Sequence, residues 1–117
     1  MPQKSGLDLI NEAKSRIKQV TPAEAMADKS ENLVFFDCRE PQEYNLGHIT
    51  GAVFIPRGQM ETKVEAVISR DKKVVIYCAS GNRSALAAET MMQMGYGDVA
   101  SMSDGFRGWV DAGGEIE

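Results

Sequence analysis

The sequence is poor in the side chains that build metal centres. Its 117 residues include one histidine and two cysteines. A zinc site of sulfur and nitrogen ligands normally takes four, and Cys38, His48 and Cys78 offer three scattered ones. Two cysteines so far apart make no disulfide framework in an intracellular protein. Neither a structural metal nor a cofactor is expected, so the cysteines are either core or chemistry. Long apolar runs are missing too, none approaching the roughly 18 residues of a membrane span. The opening stretch MPQKSGLDLINEAKSR lacks the basic-then-apolar pattern of a signal peptide. A cytoplasmic protein with no membrane partner is the expectation. Nor is there an excess of positive charge: 13 Lys and Arg face 17 Asp and Glu, for a net charge of −4. With no basic cluster, that balance argues against a nucleic-acid partner.

What remains is ordinary globular composition, 43% hydrophobic and 26% charged. No repeat, low-complexity tract or linker divides the chain. Its length suits one domain that buries roughly two thirds of its unfolded surface.

Along the chain, Leu7, Ile10, Ile17 and Val20 fall near one face of a first helix. A second helix starts at TPAEAM, where Thr21 caps, Pro22 suits the first helical position and Glu24 completes a capping box. NLVFFDC is a brief apolar run, read as a buried strand. EPQEYNLG suggests a helical turn ending at Gly47, and GAVFIP a short strand stopped by Pro56. Met60, Val64, Val67 and Ile68 have helical spacing. KKVVIYC is the strongest strand, and RSALAAETMMQMG the strongest helix, with Gly95 as its stop. DVASM and GFRGWVDAGG read as a last strand and a last helical turn. Strands alternating with helices predict an α/β fold, a mainly parallel sheet of about five short strands with helices on both faces.

One stretch raises a chemical question: YCASGNRSALAAETM, residues 77 to 91. In parallel α/β sheets ligands gather beyond the carboxyl ends of the strands, and Cys78 lies at such an end. A helix begins directly after it, and the free N–H groups of a helix start favour an anion. Ala79, Ser80, Gly81 and Asn82 are small or turn-tolerant, so the loop can curl its N–H groups around the sulfur. Such a field lowers a thiol pKa from about 8.5 toward neutrality. Arg83 adds a permanent charge that can act on the thiolate, a substrate or a neighbouring carboxylate. Against this stands the plain alternative that a cysteine ending a buried strand is inert core.

The sequence CASGNRS resembles the active-site loop of the rhodanese family of sulfurtransferases. DCREPQEYNLGHITGA, residues 37 to 52, resembles that family's first signature, with Asp37, Arg39, Glu43, Tyr44, Gly47, His48, Ile49, Gly51 and Ala52 in place. DGFRGWVDAGG, residues 104 to 114, resembles the second, with Asp104 standing where a glycine is usual. The resemblance covers residues 19–117 and leaves residues 1–18 as an N-terminal helical extension. It implies a rhodanese-like fold in which Cys78 takes sulfur from a small anionic donor such as thiosulfate and becomes a persulfide. Residues Ala79, Ser80, Gly81, Asn82 and Arg83 would form the cradle. Cyanide, another thiol or a protein acceptor would then remove the sulfur. Cys78 to Arg83 spans six residues, the length this family uses for sulfur. Related phosphatases and arsenate reductases use one more, and the phosphatases carry a histidine where Tyr77 stands. A sulfur-relay or binding protein serving a dedicated partner is the alternative from another class.

Supporting roles are expected for four residues of the first signature. His48 would orient the loop through hydrogen bonds. Asp37 would accept loop N–H groups, and Arg39 would pair with Glu43 across a helical turn. Cys38 departs from the family's usual aliphatic residue. Strand alternation turns it into the core if its neighbours face the loop, with a disulfide to Cys78 as the other reading. Arg57 and Arg107 are surface charges or pocket flanks. Met91, Met92 and Met94 read as flexible packing, and Trp109 with Phe106 as core, with Phe106 a candidate pocket wall.

Overall fold

Five short strands form one sheet in the computed structural model, which describes residues 3–117. They are β1 (Lys18–Val20), β2 (Leu33–Asp37), β3 (Val53–Phe54), β4 (Lys73–Tyr77) and β5 (Val99–Met102). The spatial order is β1-β5-β4-β2-β3, and every neighbouring pair runs parallel. Six helices cover the sheet: α1 (Gly6–Arg16), α2 (Pro22–Ala27), α3 (Pro41–Asn45), α4 (Met60–Val67), α5 (Asn82–Gln93) and α6 (Gly105–Asp111). The architecture is α/β, as the alternation of elements predicts.

Strand alternation sorts the core into two layers. Phe36, Cys38, Val74, Ile76 and Cys78 pack with Met60 and Val64 of α4 and Ala87, Ala88 and Met91 of α5. Val75, Tyr77 and Met102 face the other way, onto Ala25 of α2 and Trp109 of α6. Both cysteines therefore lie on one side of the sheet. Thr21 and Glu24 form the expected capping box of α2, with Pro22 in its first turn. Helix α5 ends at Gln93, just short of Gly95, whose φ of +97° no β-carbon-bearing residue takes comfortably.

The first twenty residues differ from expectation. Ile17 and Val20 do not extend the face of α1. The helix stops at Arg16, and residues 18 to 20 run as β1 beside β5, with Val20 opposite Met102. Three residues are too few to show a period of two, and their apolar positions happen to continue the helical spacing. Leu7 is 64% exposed, so the buried side of α1 is set by Ala13 and the half-buried Ile10. That side rests on α5. Met92 of α5 also faces solvent, whereas Met91 is buried. Among the described residues, no helix is long and apolar enough to cross a membrane.

Candidate active site

Strands β2 and β4 are paired in register up to Asp37 opposite Tyr77. The pairing runs one step further, since the Cys38 N–H donates to the Tyr77 carbonyl at 3.1 Å. Cys38 and Cys78 are thus side by side at two adjacent strand ends, both almost fully buried. Beyond Cys78 the chain must reverse to start α5. Gly81 allows it with φ of +99°, a left-handed conformation that costs other residues about 1–2 kcal/mol.

The reversal folds the loop around the sulfur. The Gly81 N–H donates to Cys78 Sγ at 3.1 Å and the Ser84 N–H at 3.4 Å. Ser84 Oγ lies 3.5 Å from the sulfur and shares a 2.8 Å hydrogen bond with the buried Ser101 Oγ. These groups lie at the start of a twelve-residue helix, whose dipole favours negative charge there. The Cys78 thiol is held down to about 4, first by the neighbouring Cys38 thiol and then by Ser84 and the loop N–H groups, which together outweigh the cost of burial. Cys38 moves the opposite way, its ionisation opposed by its neighbour Cys78 and by burial. Its thiol also lies 3.5 Å from the Tyr77 carbonyl, which accepts from it. Of the two sulfurs, Cys78 is pushed toward the thiolate and Cys38 away from it.

Arg83 answers the choice left open by its sequence context. Its guanidinium makes a two-pronged ion pair with Glu43 of α3, at 2.8 and 3.0 Å. The pair holds the Glu43 carboxyl at about 2 and ties the end of the loop to the first signature. Arg39 does not pair with Glu43. It folds back on Asp37, with contacts of 2.8 to 3.1 Å, and donates to the Gly47 carbonyl at 2.7 Å. Asp37 spends its acceptors on the Arg39 side chain and N–H and takes none from the loop after Cys78. The shorter two-residue reach wins because both groups are buried, and a carboxylate out of water needs its partner close.

His48 also works elsewhere. Nδ1 lies 3.1 Å from the Tyr44 carbonyl and Nε2 3.3 Å from the Glu117 carboxylate, and its ring stacks on Tyr44 with centroids 3.8 Å apart. Its backbone exchanges hydrogen bonds with Glu117. These contacts fasten residues 47 to 51 to the end of the chain, and none reaches residues 79 to 83. Arg57 pairs with Glu61 and touches Thr90, leaving it on the surface. Arg107 lines a groove of about 570 Å3 beside Ala79 and Ser80, bounded by Thr21 and Pro22 on the far side. Phe106 meets the Arg39 guanidinium 4.3 Å above its ring, and Trp109 is core.

Two contributors escaped the sequence reading. Ser84 follows Arg83 directly and was within reach of it, as a hydroxyl on the first turn of the helix that cradles the sulfur. Ser101 had no local signal, being one small residue of β5 that meets Ser84 only through the fold. Gly105 matches the second signature in the sequence, and its place against the loop comes from the fold. The Phe106 N–H donates to the Cys78 carbonyl at 2.8 Å, so the second signature lies directly against the loop. A β-carbon at Gly105 would fall 2.4 Å from that carbonyl oxygen and 2.5 Å from that of Ala79.

Residues 20–112 match the family described as rhodanese-like domain. The putative sulfur carrier protein YrkF of Bacillus subtilis is 39% identical over 82 residues, which are 70% of this chain. The match takes in 44% of YrkF, less than half its length. The thiosulfate sulfurtransferase GlpE of Pseudomonas fluorescens is 33% identical over 95 residues, covering 81% of this chain and 86% of GlpE. A solved structure from Rhodopseudomonas palustris, described as a possible tyrosine phosphatase of unknown function, superposes with a TM-score of 0.91 at 38% identity, covering 100% of this chain and 99% of that one. A rhodanese-related protein of Thermoplasma volcanium gives a TM-score of 0.78 at 29% identity, over 86% of this chain and 97% of its own. With residues 20–112 matched to the family and GlpE covered over 86% of its length at 33% identity, the chain belongs to the rhodanese-like domain family.

Proposed function

We propose that the protein is a thiosulfate sulfurtransferase in which Cys78 carries the transferred sulfur as a persulfide. The observation that carries this reading is the Cys78 sulfur enclosed by a six-residue loop, with the Gly81 and Ser84 N–H groups directed at it. In the first step the Cys78 thiolate attacks the outer sulfur of thiosulfate. An S–S bond forms, the S–S bond of the donor breaks, and sulfite leaves with its electron pair. The negative charge of the persulfide rests on its outer sulfur, at the mouth of the same ring of N–H donors. In the second step a nucleophile such as cyanide takes that sulfur, leaving as thiocyanate and restoring the thiolate. A thiol already ionised at neutral pH needs no general base. The site offers none, because His48 is occupied with Tyr44 and Glu117.

The similarity to YrkF supports a second reading, relay of the Cys78 sulfur to a dedicated protein acceptor. The possible phosphatase activity in the description of the Rhodopseudomonas structure supports a third. A six-residue loop around a buried sulfur leaves little room for a tetrahedral phosphoryl group, which favours sulfur. Intact-protein mass after brief exposure to thiosulfate tests all three. Sulfur transfer predicts a gain of one sulfur at Cys78, released as thiocyanate by cyanide. The relay reading predicts the same gain with slow release to cyanide and faster release to the physiological acceptor. Turnover of a phosphoester without sulfur gain overturns both.

A further inference from the structure

Helix α1 lies outside residues 20–112, yet it reaches the candidate active site. The Lys14 ammonium donates to Asn82 Oδ1 at 2.9 Å, and Asn82 is the fifth residue of the loop and the first of α5. Lys14 is partly buried, on a helix that packs against α5. A cation at a helix N-terminus is placed against the dipole. Such a placement is unfavourable in the empty protein and favourable once an anion lies nearby.

The charges around it sharpen the point. Arg83, the obvious cation of the loop, is neutralised by Glu43. On α1, Asp8 caps its own helix and Glu12 pairs with Lys4 and Arg16. On α5, Glu89 is taken by Arg16. Among the described residues Lys14 makes no ion pair, only its bond to a neutral amide. Its charge is left uncompensated, one side chain away from the loop that encloses the Cys78 sulfur. A dianion approaching a thiolate meets like charge, and the cost is lowered by a cation beside the path.

We propose that Lys14 supplies an uncompensated cation, on the α1 side of the loop as Arg107 is on the groove side, that draws a small anion to Cys78, an oxyanionic sulfur donor if Cys78 transfers sulfur as argued above. The residue determines specificity for charge and leaves the nucleophile itself unchanged.

The test compares alkylation of Cys78 by anionic iodoacetate and by neutral iodoacetamide in the full chain, followed by mass. Neither reagent requires turnover. In Lys14→Met the iodoacetate-to-iodoacetamide rate ratio falls roughly three- to tenfold, with the iodoacetamide rate little changed. Lys14→Arg keeps the ratio, and so does Lys18→Met, which removes the same charge from a lysine paired with Asp98. The difference fades in about 0.5 M salt. An unchanged ratio, an equal fall with both reagents, or the same fall in Lys18→Met overturns the proposal. Absence of persulfide with thiosulfate, beside a ratio that falls as stated, overturns sulfur transfer from thiosulfate and upholds Lys14 as an anion guide.

Discussion

Two neighbouring strands of this protein each run into a cysteine, and the two sulfurs have opposite characters. Cys38 after β2 and Cys78 after β4 share a sheet face, a core layer and near-complete burial. Burial opposes ionisation at both. What separates them is the chain that follows. After Cys38 the backbone leaves through Arg39 and Glu40 into α3, and no N–H group turns back to the sulfur. After Cys78, a loop of four small or polar residues, with Gly81 left-handed among them, brings two N–H groups and a hydroxyl onto it. The enclosing loop and the neighbouring Cys38 thiol act together on Cys78, and of the two sulfurs only Cys78 is enclosed.

The largest effect that breaks this comparison is chemical. Cys78→Ser abolishes sulfur loading from thiosulfate altogether, whereas Cys38→Val keeps it, both read by intact mass. Loading of the Cys78→Ser protein, which would place the sulfur on Cys38, reverses the assignment.

Next comes the support under the loop. Gly105→Ala forces a β-carbon to 2.4 Å from the Cys78 carbonyl oxygen at a φ of +55°. Urea unfolding should show a loss of at least about 1–3 kcal/mol, with loading reduced alongside. Stability close to that of the native protein would mean that the loop is not braced from this side.

A pH profile sharpens the contrast between the sulfurs. An ordinary thiol loses about tenfold in alkylation rate for each pH unit below its pKa near 8.5. Cys78 should keep its iodoacetamide rate down to about pH 5, with half lost near its pKa of about 4, because only the thiolate reacts. Cys38 stays unmodified throughout. In Cys38→Val the acid limb moves up, since the neighbouring thiol is the largest influence holding the Cys78 value down. An unmoved limb would assign the whole effect to the loop.

The smallest effect tests the hydroxyl. Ser84→Ala removes the group 3.5 Å from the sulfur while keeping the N–H at 3.4 Å, and leaves Ser101 without its partner. The acid limb should rise by less than about one unit, and stability should fall by about 1 kcal/mol in urea.

How much of this was legible in the sequence follows the distance between partners. The strand, the cysteine, the loop, Arg83 and α5 are contiguous, and local pattern was enough to read them. The register that sets Cys38 beside Cys78 needs the sheet. Glu43 finds Arg83 forty residues on, and His48 finds Glu117 at the other end of the chain; neither pairing has a local trace. The expected Arg39–Glu43 pair was a sound local guess that a nearer buried carboxylate, Asp37, displaced. Strand β1 was hidden by brevity, and only its pairing with β5 identifies it.

The absence of a side chain at Gly105 has a practical consequence for protein engineering. With the backbone of residues 105 and 106 pressed against Cys78 and Ala79, the loop after Cys78 and the start of α6 behave as two halves of one cassette. Grafting a seven-residue loop from a phosphatase relative onto this chain would change only one half. The exchange needs residues 103 to 106 to travel with the loop, so a change of specificity in this fold is a two-segment transplant.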